Sequence, residues 1–275
     1  MTETQFDYEQ SVWGNGVASR AITSPTSFRL RQSVHALRGL APGARVMELG
    51  CGAGQFIRAI AAIRPDLKCY GSDISDSALA IARQAHDGVV YDLSEEKRLP
   101  YEDNFFDAIV LYDVLEHVPD PDAILSEVAR TLKKGGVFYA FVPCEGDVFS
   151  IWNALRRVGI GAELTRMYAG HINRFSRAQL FSMVESHGLA VRVKVYSEQI
   201  IGQLLGIAAF FSMDRFAKKH KLSQVNNEQY FENLHARGGG VLRVIKSLVN
   251  AIVFIESVIF SRLPSPNVHV TAVKK

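Results

Sequence analysis

Val46-Met47-Glu48-Leu49-Gly50-Cys51-Gly52-Ala53-Gly54 is the stretch that decides the fold. A short apolar run leads into glycines at alternate positions, and apolar residues with helical spacing follow at once: Phe56, Ile57, Ile60 and Ile63. Glycine tolerates positive φ and lets a ligand approach the backbone closely. The stretch therefore predicts a strand, a tight turn and a helix. It also predicts a ligand at the carboxyl end of the strand, where open α/β sheets bind theirs.

Short apolar runs and helical patterns alternate in both directions from this turn. Helix starts are marked by Ser24-Pro25, by Asp120-Pro121 and by the capping box of Ser176 and Gln179. The helix after Asp120-Pro121 is predicted to continue through Leu132 and to end at Gly135-Gly136. The predicted strands are residues 45–49, 68–72, 89–91, 106–112, 137–142, 189–196 and 268–273. This alternation predicts an α/β fold: a Rossmann-like, mostly parallel seven-stranded sheet with helices on both faces.

Residues 199–266 differ in composition from the rest of the chain. Ile200–Met213 is almost uncharged, and Val241–Phe260 is a longer apolar helical pattern that follows three glycines. Residues 199–275 hold 10 Lys and Arg against 4 Asp and Glu, whereas residues 1–198 hold 21 against 24. We therefore expect an apolar, basic helical insertion before the last strand.

The insertion is not expected to cross a membrane. A span needs about 20 apolar residues, and Val241–Phe260 carries Arg243, Lys246 and Glu256. A helix with a narrow polar stripe suits a membrane surface, a roof over an apolar pocket or a homodimer interface, and the sequence leaves these three open.

Composition excludes several classes of protein. The net charge of +3 and the lack of an evident basic face argue against a nucleic-acid partner. The three cysteines form no CxxC pair, so we predict neither a metal site nor a disulfide framework. Residues 1–7 lack the basic and apolar regions of a secretory signal. The expected location is cytoplasmic, with membrane association as the alternative that the insertion leaves open.

An ordered set of motifs resembles the class I S-adenosylmethionine-dependent methyltransferases, in the ubiquinone/menaquinone-biosynthesis-like group. The set covers roughly residues 40–198, and its members are the ELGCGAGQF turn, the acid of GSDIS, Leu99-Pro100-Tyr101 with Phe105-Phe106-Asp107, Leu115-Glu116-His117-Val118 and Leu132-Lys133-Lys134-Gly135-Gly136. The resemblance implies an enzyme that transfers a methyl group from S-adenosylmethionine to a small-molecule or lipid-like acceptor. It also implies a division of the chain into an N-terminal cap segment at 1–40, a cofactor-binding core at 41–198, the insertion at 199–266 and the last strand of the core at 267–275.

The resemblance also implies a set of cofactor-binding residues at the carboxyl ends of the strands. The methionine portion is expected against Gly50, Gly52 and Gly54, with Glu48 near its ammonium group. Asp73 is expected at the ribose hydroxyls, as acids at this place are in related folds. The remaining candidates lie around the adenine or beneath the cofactor: Ile74, Asp92, Leu93, Tyr112 and Asp113.

Methyl transfer requires mainly that nucleophile, methyl carbon and sulfur be aligned. An alcohol or phenol acceptor would gain from a general base, and His117 and His171 are the candidates. Tyr8, Trp13 and Arg174 are candidate acceptor-binding residues, because the N-terminal segment and the H…F-S segment at 171–176 lie near the acceptor opening in the group that the chain resembles. The methylated atom, the identity of the acceptor and the use of a base stay open.

Three rival functions share features with this pattern. An NAD(P)-dependent oxidoreductase would need glycine at position 55 to complete GxGxxG, where Gln55 stands. A non-catalytic scaffold protein that keeps the fold would not require Glu48, Asp73 and the glycines together, whereas a non-catalytic S-adenosylmethionine-binding protein stays an alternative. A nucleic-acid methyltransferase would carry Asn/Asp-Pro-Pro-Tyr after the fourth strand, where Asp113-Val114-Leu115-Glu116 stands.

Overall fold

The computed structural model describes residues 24–220 and 244–275. Its strands are β1 Arg45–Leu49, β2 Lys68–Asp73, β3 Val90–Leu93, β4 Phe106–Tyr112, β5 Leu132–Pro143, β6 Leu189–Ser197 and β7 Asn267–Lys274. Its helices are α1 Pro25–Ala36, α2 Gln55–Ile63, α3 Asp76–Arg83, α4 Pro121–Thr131, α5 Ile151–Arg157, α6 Leu164–Ala169, α7 Arg177–Ser186 and α8 Ile201–His220, and a 3-10 turn, Leu37–Gly39, follows α1. Residues 244–259 are also helical.

The strands form one sheet in the order β3-β2-β1-β4-β5-β7-β6. Strands β1 to β5 pair in parallel, and β7 pairs antiparallel with both β5 and β6. The predicted fold is therefore confirmed. The strand order reverses between β1 and β4, and open α/β sheets bind their ligands at the carboxyl edge beside such a reversal.

Side chains that alternate along the strands build a core on each face of the sheet. On one face, Val46, Ala108 and Val110 pack with side chains of α2 and α3. On the other face, Ile109 and Leu111 pack with side chains of α4 and α7. Helices on both faces leave the strand ends as the place where polar side chains reach solvent.

Local capping signals fix where several helices begin. The Ser24 hydroxyl accepts from the Ser27 N–H, Asp120 accepts from Ala123, and Ser176 accepts from Gln179. The predicted extent of the fourth helix is wrong, because α4 ends at Thr131 and Leu132 opens β5, where it pairs with Phe106. Gly135, with a φ of 74°, lies inside the strand as a local irregularity rather than at the end of a helix.

The described part of the insertion packs onto the core. Ile207, Met213 and Ala217 of α8 form a small apolar cluster with Trp152, Leu164 and Tyr168 of α5 and α6. The Glu256 carboxylate accepts from the N–H groups of Ile200, Ile201 and Gly202 at 2.9, 2.7 and 3.1 Å, and so caps the start of α8. Within the residues placed by the structure, no helix is both long and apolar enough to span a membrane.

Candidate functional site

The glycine turn between β1 and α2 depends on left-handed backbone at three positions. The φ angles of Gly50, Gly52 and Gly54 are 72°, 52° and 83°. A Cβ on Gly50 would lie 2.6 Å from Val114 Cγ2, and one on Gly54 would lie 2.6 Å from Tyr91 Oη. At these two positions glycine is therefore required by the protein's own packing as well as by the turn.

Glu48 and Asp73 flank this turn and hold it by hydrogen bonds. Glu48 is buried, and its Oε2 accepts from the Ile57 N–H in the first turn of α2 at 2.6 Å. Burial raises the pKa of Glu48 well above its usual value, the Ile57 hydrogen bond opposes the rise, and Asp73 adds to it. Asp73 Oδ2 accepts from the Gly52 N–H at 2.7 Å, and its Oδ1 accepts from the Ser75 N–H at 3.0 Å.

Apolar side chains stand open beside Asp73, at the carboxyl ends of β2 and β3. Asp73 pairs in register with Leu93, and the side chains of Ile74 and Leu93 are 48% and 49% exposed. Asp92 Oδ2 accepts from the Tyr101 hydroxyl at 2.6 Å. This edge therefore combines a partly exposed acid, which can accept hydrogen bonds, with two apolar side chains that are about half exposed.

Tyr112 and Asp113 end β4 but face different surroundings. The Tyr112 ring is buried and stacks on Phe56 at 4.0 Å, and its hydroxyl bonds to Ser33. Asp113 has a φ of 52°, and its Oδ2 accepts from Arg29 at 2.6 Å. The predicted cofactor contact of Tyr112 remains a prediction, and its hydroxyl is already committed to α1.

Arg29 joins α1 to the carboxyl ends of two strands. Its guanidinium also donates to Glu198, just after β6, at 3.3 Å, and lies 3.9 Å above the centre of the Phe141 ring. Glu198, like Asp113, has positive φ, at 53°. Both acids therefore adopt a backbone conformation that is unusual for side-chain-bearing residues, and both bind the same arginine.

His117, in the segment after β4, and His171, in the segment after α6, lie in contact. They belong to what we term the histidine cluster: Glu116, His117, Glu145 and His171. The two imidazole rings meet edge to face, with centroids 4.8 Å apart. The Glu116 carbonyl accepts from the N–H groups of Ile172 and Asn173, each at 2.9 Å. The segment after α6 is thereby fixed onto the segment after β4, which brings the two histidines into contact.

The pKa values of the two acids of the histidine cluster shift in opposite directions. Glu145 Oε1 lies 2.8 Å from His171 Nδ1. The pKa of Glu145 is lowered to about 2, because its hydrogen bonds and its charged neighbours outweigh the effect of burial. Glu116 is fully buried, neither of its carboxylate oxygens has a hydrogen-bond partner among the described residues, and burial raises its pKa well above the usual value. Burial likewise lowers the pKa of His117 to about 3, with His171 adding to the shift.

Of the three predicted acceptor-binding residues, the structure describes Arg174. Arg174 is exposed, donates to the Ala162 carbonyl at 2.8 Å and lies 3.5 Å from the Glu163 carboxylate. Tyr8 and Trp13 lie outside the described residues. Arg29 and Glu145 were not predicted from the sequence, although Glu145 lies close to the end of a strand, as Asp73 and Asp113 do.

Comparison with known proteins gives a family match and several partial relatives. The family described as "Methyltransferase domain" matches residues 26–193, which is more than half of the chain. A demethylmenaquinone methyltransferase of Bacillus mycoides is 32% identical over 112 residues, which are 38% of this chain and 47% of that protein. A ubiquinone biosynthesis O-methyltransferase of Thiobacillus denitrificans is 35% identical over 104 residues, which are 36% of this chain and 44% of that protein.

The fold extends further than the sequence similarity. A solved structure of geranyl diphosphate methyltransferase in complex with S-adenosylmethionine superposes with a TM-score of 0.57, at 14% identity, over 91% of this chain and 86% of that one. At this identity the likeness concerns the fold alone. The chain spans less than half the length of the two curated relatives named above.

Proposed function

The chain belongs to the methyltransferase-domain family, and from that membership we propose that it transfers a methyl group from S-adenosylmethionine to a small-molecule or lipid-like acceptor. The family and its cofactor, both expected from the sequence motifs, are confirmed at the level of the family. Family membership does not identify the acceptor, the residues that bind it or a base, and we propose these from the site.

One observation carries the cofactor site: the turn of Gly50, Gly52 and Gly54 lies between two acids and beside two open apolar side chains. A cofactor with an ammonium group at its amino-acid end, a ribose and an adenine needs an acid, hydroxyl acceptors and apolar surface in that order. Glu48 would face the ammonium group, Asp73 the ribose, and Ile74 and Leu93 the adenine, with Asp92 at its amino group. The acids and apolar side chains at this edge therefore match the polar groups and the adenine of the cofactor.

The protein contributes to the reaction mainly by positioning the acceptor and the methyl group. S-adenosylmethionine supplies a methyl group already activated by a sulfonium. The chain has to hold the acceptor in line with it, and alignment of this kind is worth roughly 7–11 kcal/mol. We place the acceptor between the glycine turn and the histidine cluster. Asp113 and Arg29 line the approach from α1, and His117 and His171 are the candidate bases for an acceptor that carries a hydroxyl group.

We further propose that the insertion favours a hydrophobic or membrane-associated acceptor. The helix at 244–259 buries Val253, Phe254 and Ser257, whereas an apolar stripe on its other side is exposed: Ile245, Leu248, Ile252, Ile255 and Ile259. Contiguous exposed apolar surface is uncommon on soluble monomers. Residues 199–275 also carry the excess of positive charge, which anionic lipid would attract.

Two ligands separate the proposal from an oxidoreductase. Calorimetric titration with S-adenosylhomocysteine and with NADH should show binding of the first and none of the second. Tritium from methyl-labelled S-adenosylmethionine should then enter a lipid and small-molecule extract of cells that lack the gene. Binding without transfer would indicate a non-catalytic protein, and absence of binding at millimolar concentration would refute the proposal.

Vesicle flotation tests the insertion. Wild-type protein should float with vesicles of phosphatidylcholine and phosphatidylserine at low salt and less at high salt. The double variant Leu248→Glu, Ile255→Glu should float less, while Ile63→Glu, at an exposed apolar position on α2, serves as the matched control. A stable homodimer in light scattering that the double variant dissociates would assign the stripe to a second copy of the chain instead.

A further inference from the structure

The Glu145 carboxylate is held in one orientation by three separate segments. Its Oε1 faces His171 Nδ1 at 2.8 Å, and its Oε2 accepts from Arg156 Nη1 and from the Thr165 hydroxyl, each at 2.9 Å. The Glu145 carbonyl also accepts from Arg156 Nη2 at 2.6 Å. An ionised carboxylate only accepts hydrogen bonds, so the proton of neutral His171 must lie on Nδ1. The lone pair of His171 is then on Nε2.

His117 makes different contacts. Its Nδ1 lies 3.2 Å from the Gly170 carbonyl, which also only accepts, and its Nε2 lies 3.8 Å from Glu116 Oε1, beyond hydrogen-bond distance. Burial raises the pKa of the Glu116 carboxyl well above its usual value. The Glu145 carboxylate, at 2.8 Å from His171 Nδ1, is thus placed to stabilise a proton on His171.

We propose that His171 is the general base of methyl transfer and that Glu145 is its positioning residue. This inference rests on the function proposed above and applies to an acceptor that carries a hydroxyl group. His171 Nε2 takes the hydroxyl proton while an oxygen electron pair forms the bond to the methyl carbon. The bond from that carbon to sulfur breaks, its electron pair stays on sulfur, and the sulfonium becomes a neutral thioether.

Glu145 stabilises the imidazolium that this proton transfer forms on His171. Among the described residues, the groups that face His171 are Glu145 after β5, and His117 and Glu116 after β4, while Arg156 and Thr165 bind the other carboxylate oxygen of Glu145. Glu145, whose pKa is lowered to about 2, holds the ring by its hydrogen bond and also offsets the charge. The proton leaves to water after the product departs.

Nitrogen-15 NMR of the histidine rings tests the geometry without an acceptor. In wild-type protein bound to S-adenosylhomocysteine, His171 should show a protonated Nδ1 and a free Nε2. Glu145→Gln should disturb this tautomer, whereas Glu163→Gln, at a more exposed acid nearby, should leave it unchanged. Because Glu145→Gln could impair folding, Glu145→Asp keeps the charge as a second variant, and circular dichroism and S-adenosylhomocysteine binding report the fold. A wild-type His171 with its proton on Nε2 would overturn the assignment.

The pH–rate profile tests the chemistry, with tritium transfer to the extract of gene-deleted cells as the assay. His171→Ala should lower kcat by about 100-fold or more, with KM for the cofactor unchanged. Glu145→Gln should lower kcat about tenfold and move the acidic limb of the profile to lower pH, because the imidazolium loses its counter-charge. Glu145→Asp should restore the limb. A purely structural role of Glu145 would leave the limb in place.

Other outcomes are also decisive. Transfer by His171→Ala within threefold of wild type refutes the base assignment while leaving the methyltransferase proposal intact. Loss of wild-type transfer in EDTA with recovery in Mg²⁺ would mean that the histidine cluster holds a cation, which also refutes it. Wild-type protein that fails to bind S-adenosylhomocysteine would refute the proposed function itself.

Discussion

Asp73→Ala is the sharpest single test of the cofactor site, and its effect has two parts. Both oxygens of Asp73 already accept backbone hydrogen bonds, from Gly52 at 2.7 Å and from Ser75 at 3.0 Å. Loss of these bonds should lower the free energy of unfolding by about 1–3 kcal/mol, since each is a bond to a charged group that is only partly buried. Loss of the acceptor for the ribose hydroxyls should separately weaken binding of S-adenosylhomocysteine by about 1.5–3 kcal/mol, or roughly 10- to 150-fold in Kd.

The two parts are measured in different experiments. Urea denaturation gives the change in unfolding free energy, and calorimetry at a temperature where the variant is fully folded gives the change in Kd. Asp103→Ala removes an exposed aspartate that pairs with Arg130 and is the matched control, with no expected effect on Kd. A folded Asp73→Ala protein that binds S-adenosylhomocysteine with the wild-type Kd would refute the assignment of Asp73 to the cofactor.

The remaining predictions concern the turn, the insertion and the response to acid. Gly52→Ala should prevent cofactor binding in a protein that still folds, because the methyl group enters the expected methionine space and strains a φ of 52° by roughly 1–2 kcal/mol; retained binding in calorimetry would place the cofactor elsewhere. Glu256→Gln should destabilise the fold by about 1–3 kcal/mol in urea denaturation, since three backbone N–H groups lose a charged acceptor; an effect no larger than that of exposed Glu163→Gln would contradict this. The pKa of Glu145 is depressed, so its contribution to stability should be lost as pH falls from about 4.5 to about 2, and Glu145→Gln should flatten that decline. His117 is held neutral, so stability should also fall as pH drops from 6.5 towards about 3, and a His117→Gln variant with an unchanged pH dependence would show that the ring is not held neutral.

The sequence predicted those parts of the structure that local signals determine. Ser24, Asp120 and Ser176 cap their helices as expected, because a cap involves residues only three positions apart. The strand-to-glycine transition located the first turn, and seven strands were expected where seven are found in the described chain. Leu132 was misplaced because its apolar side chain continues the helical stripe of α4, whereas pairing with Phe106 draws it into β5.

The candidate site was harder to predict where its contacts join distant parts of the chain. Arg29 binds Asp113 and Glu198, which lie 84 and 169 positions away, and nothing near any of the three residues indicates the others. Tyr112 was expected near the cofactor because it ends a strand; alternation along β4 directs its ring towards Phe56 of α2, and the cofactor contact stays a prediction. Glu145 could have been predicted as a site residue, because it lies close to the carboxyl end of β5. Its contact with His171 could not, because that contact depends on the path of α5 and α6.

The antiparallel strand β7 determines when the sheet can be completed during synthesis. It lies between β5 and β6, so β6 hydrogen-bonds to no other strand of the described sheet. A ribosome adds roughly 5–20 residues per second, so synthesis of residues 198–266 takes about 3–14 s after β6 has been made. Through that interval β5 and β6 each present an unpaired edge, the kind of surface that recruits strands from other chains. Nascent chains that stall within the insertion should therefore be more prone to aggregation than chains that have reached β7.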